Sequence, residues 1–309
     1  MRAVLVVNPS ATTTRPRTRD VLCRALGSET KLEIAETRHR GHAAALARRS
    51  ADDGVDVLAV LGGDGTVNEV VNGLLRDGRG ADDLPSLAVI PGGSTNVFAR
   101  ALGLPNDPVE ATGAVLEGLR TGRRRRIGLG KADSRYFTFC AGLGIDAEIV
   151  RAADARRSTG IRASNSMHTR TAFRYFFTAS DRRHPPLSLA RPGHRTVRGL
   201  FCAFVQNTAP WTYAGNRQLN PSPEASFDTG LDLFALRTMR TTSAADQLVR
   251  VLGKGRRPPG GRGALVLHDL DEFTVLATRL LPCQVDGEYL GEQEQVNFRS
   301  APDALDVVL

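Results

Sequence analysis

Apolar residues along this chain recur in two rhythms. In the first, short continuous apolar runs alternate with stretches of helical spacing. The runs are Arg2 to Asn8, Val55-Asp56-Val57-Leu58-Ala59-Val60-Leu61 and Ser86-Leu87-Ala88-Val89-Ile90. Short β-branched runs bounded by Gly, Asn or Pro predict strands buried on both faces, as in a parallel sheet. Lys31 to Thr37 alternates and predicts a further strand. Helices are predicted from about Thr18 to Leu26, from Gly41-His42-Ala43 through Leu46 and Arg49, over Val67, Val70, Val71 and Leu74, and over Val109 to Leu119. This strand–helix repetition predicts a parallel sheet with helices on both faces.

The second rhythm begins after the basic run Arg120 to Arg126. Ile127 to Gly130 and Tyr136 to Cys140 read as a hairpin around the polar turn Ala132-Asp133-Ser134. Strands then follow strands: Gly199 to Val205, Asp232 to Arg237, Glu272 to Ala277, Pro282 to Asp286 and Gln295 to Phe298. Short strands separated by Gly/Pro turns predict an antiparallel β-sandwich. The expected class is thus an α/β N-terminal domain, residues 1–130, followed by a mainly antiparallel β-sandwich domain, residues 131–309. The composition of Gly253 to Gly263 marks it as a surface loop.

Two glycine turns carry the candidate chemistry. Leu61-Gly62-Gly63-Asp64-Gly65-Thr66 joins a buried strand to a helix. At such a turn the first N–H groups of the helix have no intrahelical partner, and the dipole favours an anion. Gly62, Gly63 and Gly65 permit close approach of a phosphate. Thr66 can cap the helix or bond the same phosphate. Asp64 repels a bare phosphate, so it caps the turn, binds a metal, or accepts a proton from the group attacking the phosphate. About thirty residues on, Pro91-Gly92-Gly93-Ser94-Thr95-Asn96 repeats the device after the next strand. Paired turns of this kind suggest adjacent strand ends facing one anionic ligand at the carboxyl edge of an open sheet.

At 309 residues, with 41% hydrophobic content, the chain has ample length for a core in each domain. Met1 to Pro9 reads as a first strand and not a leader, and no run approaches the roughly 20 apolar residues of a membrane span. Cys23, Cys140, Cys202 and Cys283 are scattered without metal-ligand spacing. A cytoplasmic protein is expected. The net charge of +8 is concentrated. Between Arg151 and Arg198 eleven arginines stand against Asp154 and Asp181, a local excess of nine. That field suits an anionic membrane surface and peripheral association. Nucleic acid is not expected, since no aromatic-basic motif accompanies the charge. Met167, Ala172, Phe173, Phe176 and Phe177 share a helical face within this stretch, which fits an interfacial helix or a core helix equally.

The pair of motifs GGDGTVNEVVNGL and PGGSTNVFAR resembles the catalytic domain of the diacylglycerol kinase family, which includes bacterial lipid kinases and sphingosine kinases and is distantly related to NAD kinases. The resemblance is strong over roughly the first 145 residues and continues as scattered motifs. It implies an ATP- and Mg²⁺-dependent lipid kinase. It places Asn8 and Thr37 beside the nucleotide, with Gly41-His42-Ala43 lining the phosphate site. Gly62, Gly63, Gly65, Thr66, Gly93, Ser94 and Thr95 would cradle the phosphates. Asp146, in Gly144-Ile145-Asp146-Ala147, is similar to a family segment whose Asp holds a metal or orients the lipid hydroxyl; on the residues alone it caps a helix from Ala147. Asp286-Gly287-Glu288 matches the family's Asp-Gly-Glu, whose carboxylates return to the cleft between domains. Asn207 with Tyr213-Ala214-Gly215 resembles a further family loop. Thr229 departs from the pattern, standing where many bacterial relatives carry Asp before Gly, and puts an accessory Mg²⁺ site in doubt.

These positions imply Mg²⁺ held by phosphates and carboxylates, Asp64 foremost, with Asp146 and Asp286 as further metal residues. The base is Glu288 or Asp64, and Glu288 is favoured. A carboxyl of ordinary pKa, about 4, orients a hydroxyl more than it deprotonates it. The expected acceptor is a diacylglycerol-like or sphingoid-like lipid. Two other readings stay open: a kinase for a soluble acceptor such as NAD, and a nucleotide-binding membrane-surface protein with reduced turnover. A homodimer is compatible with each.

Overall fold

The computed structural model describes residues 1–11, 16–144, 147–148, 151, 183–253, 255 and 257–309. The chain divides into two compact units: Met1–Leu129 with Pro302–Leu309, and Gly130–Ala301. The last eight residues therefore return to the first unit, although sequence order alone assigned them to the second.

The first unit contains β1 (Arg2–Val7), α1 (Pro16–Gly27), β2 (Lys31–Glu36), α2 (His42–Asp52), β3 (Val57–Gly62), α3 (Asp64–Leu74), β4 (Ser86–Pro91), α4 (Val97–Ala101) and α5 (Pro108–Thr121). Its strands pair in parallel. β2 and β3 flank β1, β4 follows β3, and Val307 near the C-terminus pairs with Leu87 of β4. Alternate residues of one strand enter different layers. Leu5, Val7, Ala59, Leu61, Ala88 and Ile90 pack with Leu22 and Leu26 of α1 and Val115 of α5. Val4, Val6, Leu58 and Val60 are equally buried, on the other side of the pleat, where α2 packs on β1 and α3 on β3. Burial on both faces explains the unbroken apolar runs. Each fully buried Leu or Val contributes about 1.5–3 kcal/mol.

Local signals set the helix ends. Asp107 caps α5 by accepting from Val109 N and Glu110 N at 2.8 and 3.1 Å, Pro108 occupies the first turn, and Gly122 ends the helix at φ 67°. The packing of α2 on α3 depends on Gly73. A Cβ there would lie 2.3 Å from Ala44 O and 2.8 Å from Ala44 Cα. The guanidinium of Arg126 bonds Asp82 at 2.6 Å and Asp306 at 2.9 Å, fastening the C-terminal segment to this unit.

The second unit is antiparallel. It holds the end of β5 (Arg124–Ala132), then β6 (Arg135–Phe137), β7 (Cys140–Leu143), β8 (Leu187–Ala190), β9 (Val197–Leu200), β10 (Ala203–Gln206), β11 (Thr212–Ala214), β12 (Arg217–Leu219), β13 (Leu231–Leu236), α6 (Thr241–Val251), β14 (Ala264–Leu270), β15 (Glu272–Val285) and most of β16 (Glu288–Val308). β15 is shared: Thr274–Ala277 pairs with β8 and Cys283–Val285 with β7. β10 lies between β7 and β13, and β14 pairs with β13. The core joins Leu143, Val205, Leu233, Val275 and Val296 to stacked Phe273 and Phe298 and to Phe137. The expected strand over Gly199 to Val205 is two strands: β9 ends at Leu200 and β10 begins at Ala203, and at the break between them Phe201 N donates to Leu236 O at 2.9 Å. α6 was not anticipated; its buried residues are only Ala244 and Gln247, while Leu248 and Val249 are exposed, so it carries a weak apolar stripe. Within the expected loop at 253–263, Gly261–Gly263 forms a 3₁₀ turn.

Gly73→Ala should destabilise the protein. Alanine gains about 1 kcal/mol of helix propensity, but overpacking against the α2 backbone costs roughly 1–3 kcal/mol or more. Urea denaturation should show a lower midpoint at unchanged slope. A pH effect follows from Arg126, whose hydrogen bond holds the Asp306 carboxyl below its usual value against a smaller opposing effect of burial. A depressed folded-state pKa gives stability that is present above the unfolded value, about 3.9, and lost as pH falls through the folded value. The melting-temperature gap between wild type and Asp306→Asn should be open at pH 7, begin to narrow below about pH 4 and close only below the depressed folded-state value.

Candidate active site

In the first unit the strand order places β2 and β3 on opposite sides of β1, so the topology reverses between β1 and β3. The carboxyl ends of strands at such a reversal form the ligand crevice of open α/β sheets. Asn8 leaves β1 there, and Gly62–Thr66 leaves β3. Asn8 Nδ2 donates to Thr66 Oγ1 at 3.0 Å across the reversal, while Asn8 Oδ1 accepts from Ser10 N at 3.0 Å. Thr37, at the end of β2, is fixed by its N–H on Val7 O at 2.8 Å. Asn8, Thr37 and Thr66 thus occupy the carboxyl ends of three neighbouring strands.

The glycine turns after β3 and β4 touch backbone to backbone. Gly92 N donates to Gly62 O at 2.8 Å. A Cβ on Gly93 would lie 2.7 Å from Gly63 Cα and 2.9 Å from Asn96 Oδ1; one on Gly92 would lie 3.0 Å from Gly62 Cα. One on Gly62 would lie 2.8 Å from Thr66 Cβ. The glycines are therefore needed first for contact between the turns. Asn96, left-handed at φ 50°, closes the second turn by accepting from Gly93 N at 2.8 Å and donating to Gly93 O and Asn106 Oδ1. Ser94 is exposed, and Gly63, Gly65, Gly93 and Thr95 are half-buried.

Asp64 has the capping geometry. Its Oδ2 accepts from Val97 N at 3.0 Å and its Oδ1 from Phe98 N at 3.1 Å, so one turn's carboxylate anchors the helix that starts at the other. Sequence reasoning missed Glu69, five residues along α3. Its Oε1 accepts from Gly41 N at 2.8 Å and its Oε2 from Ala43 N at 3.2 Å. The spacing gave no hint, because both partners lie more than twenty-five residues upstream.

In the second unit Asp286 sits in the turn between β15 and β16 at φ 47° and is buried. Its carboxylate accepts from Thr138 N, Thr138 Oγ1, Phe139 N and Cys140 N at 2.7, 2.8, 3.0 and 3.1 Å. Four donors on two oxygens make Asp286 an organiser of the 138–140 backbone. Glu288 pairs with Arg135 at 3.1 Å, both half-buried. Asn207 Nδ2 donates to Thr138 O at 3.0 Å. At the divergent position, Thr229 Oγ1 donates to Ser226 O at 3.1 Å, and Gly230 N donates to Asp269 Oδ1 at 2.7 Å. Asp232, almost fully buried, bonds His268 Nδ1 at 2.8 Å and Asp269 N at 3.2 Å. Burial raises its carboxyl above the ordinary value, and these bonds oppose that rise.

Asp146 and the basic stretch at 152–182, with its amphipathic face, lie outside the described residues. Among the described residues no group of three or more His, Cys, Asp or Glu could hold a metal. The oxygens of Asp64 and Asp286 are engaged by N–H donors. The described carboxylates by themselves thus do not fit a resident Mg²⁺ site. The glycine turns do fit a phosphate chain. No helix among the described residues is long and apolar enough to cross a membrane.

Gly93→Ala should part the two turns. Nucleotide affinity measured by calorimetry should fall at least about tenfold, as small displacements at binding turns do. Gly113→Ala in α5, where a Cβ meets nothing within 4 Å, should bind as wild type and serves as the control.

Comparison with known proteins agrees with this geometry. Residues 2–132 match the diacylglycerol kinase catalytic domain. The Chromohalobacter salexigens protein named "Probable lipid kinase YegS-like" is 31% identical over 296 residues, covering 94% of this chain and 88% of that protein. A diacylglycerol kinase of Staphylococcus saprophyticus is 40% identical over 118 residues, covering 38% of this chain and 36% of its own length. A solved diacylglycerol kinase of Bacillus anthracis str. Sterne has the same fold, with a TM-score of 0.71 at 20% identity over 99% of this chain and 96% of that one. Carrying paired glycine turns at the switch point of its parallel sheet, and matched along nearly its whole length to a protein named as a probable lipid kinase, this chain belongs to the diacylglycerol kinase family of lipid kinases.

Proposed function

We propose that the protein transfers the γ-phosphoryl group of ATP to a hydroxyl of a diacylglycerol-like lipid. The observation that carries this reading is the backbone contact of Gly62–Gly63 with Gly92–Gly93, which sets two anion-suited turns side by side at the strand ends. In this reading Gly62, Gly63, Gly65 and Thr66, with Gly93, Ser94 and Thr95, hold the phosphates of MgATP, and Asn8 and Thr37 contact the nucleotide. The lipid hydroxyl oxygen forms a bond to the γ-phosphorus as the bond from that phosphorus to the β–γ bridging oxygen breaks, and ADP leaves. Positioning and charge neutralisation supply most of the acceleration in such transfers.

The hydroxyl proton is assigned to Glu288. Asp64 is committed to Val97 N and Phe98 N, and protonating it would weaken the anchor between the turns. The arginine-rich segment from Arg151 to Arg198 supports peripheral contact with an anionic membrane surface.

The test is transfer from γ-labelled ATP with Mg²⁺ into mixed micelles of diacylglycerol and anionic lipid, with NAD as a parallel acceptor. Label should enter an organic-extractable product. Glu288→Gln should lower kcat about 10²–10⁴-fold while leaving ATP affinity within about twofold. Label in NAD alone would transfer the protein to the soluble-acceptor branch. ATP binding without transfer to any acceptor would favour a binding role.

A further inference from the structure

We propose that Glu69 is a positioning residue for ATP, holding the loop from Thr37 to Ala43 against the phosphate turns. The proposal rests on the kinase reading above. Glu69 lies on α3, the helix that grows out of the Gly62–Thr66 turn, and its two oxygens take the N–H groups of Gly41 and Ala43. Gly41 is left-handed at φ 82°, a conformation with no intrinsic stiffness in glycine, so the loop's path depends on external anchors.

Further bonds run within the loop. His42 N donates to His39 O at 3.2 Å, Arg38 N donates to His42 Nδ1 at 3.1 Å, and the two imidazoles stack with centroids 5.0 Å apart. They fold the loop on itself. Thr37 N on Val7 O fixes one end to the sheet, and Glu69 fixes the other to α3. A carboxylate at the start of α2 also complements the helix dipole there. The N–H groups of Gly41, His42 and Ala43 are all engaged within the protein. The loop therefore serves ATP through placement of Thr37 and its own side chains, and the phosphates are left to the two glycine turns.

Truncating Glu69 frees one end of the loop without touching the glycine turns. Initial rates with varied MgATP should show that Glu69→Ala raises KM about tenfold with kcat within about threefold, as expected for lost positioning. Glu69→Gln, which keeps a carbonyl acceptor of the same reach, should recover at least half of that increase. Loss of folded protein alone scales kcat and leaves KM, so the split separates placement from stability. Should Glu69→Ala fail to fold, Glu69→Asp keeps the charge but falls short by one methylene, and its KM is read by the same criterion. A KM within about twofold of wild type in the folded variant overturns the assignment alone. A wild type that neither binds ATP by calorimetry nor transfers its phosphate overturns the kinase reading and this assignment together.

Discussion

The close approach of the turns after β3 and β4 is the constraint on which the rest of the first unit depends. Gly62 pairs with Pro91 at the end of the ladder, and Gly92 donates back to Gly62 O, so the two strands stay paired into their turns. No side chain fits between Gly63 and Gly93. Once the turns are in contact, Asp64 reaches Val97 N and Phe98 N, and the start of α4 is oriented by the start of α3. The Asp64 carboxylate joins the two helix starts a second time.

From this contact α3 acts as a common anchor. Asp64 ties it to the β4 turn, Thr66 to Asn8 at the end of β1, and Glu69 to the loop after β2. Side chains on two turns of one helix therefore set the geometry of three other strand ends. A helix is stiff over that length, so the relative placement of the loops does not rely on the loops themselves. Gly73 at the far end of the same helix lets α2 approach closely enough for Glu69 to reach its start.

Acidic residues in these motifs serve mainly to bind backbone. Asp64 and Glu69 satisfy N–H groups at helix starts, and Asp286 satisfies three N–H groups and a hydroxyl in the second unit. A carboxylate so placed gains charge-assisted bonds and, at a helix start, the favourable end of the dipole. The Asp-Gly-Glu turn illustrates the division: its Asp organises residues 138–140, and its Glu pairs with Arg135 from the preceding hairpin.

Much of the fold was legible in the sequence because it depends on short-range pattern. Unbroken apolar runs identified β1, β3 and β4, and the glycine turns identified the helix starts that follow. Apolar spacing over Val109 to Leu119 identified α5, and the change of rhythm after Arg126 marked where antiparallel pairing begins. α6 escaped because only Ala244 and Gln247 of its residues are buried, and the return of 302–309 to the first unit escaped because sequence order carries no sign of it. The partners of each acid were equally illegible: Asp64 with Val97, Glu69 with Gly41 and Asp286 with Thr138 join residues far apart in the chain. A carboxylate's residue type states only that it needs donors or a cation. The tertiary structure supplied the donors, by bringing backbone N–H groups from distant segments to those oxygens.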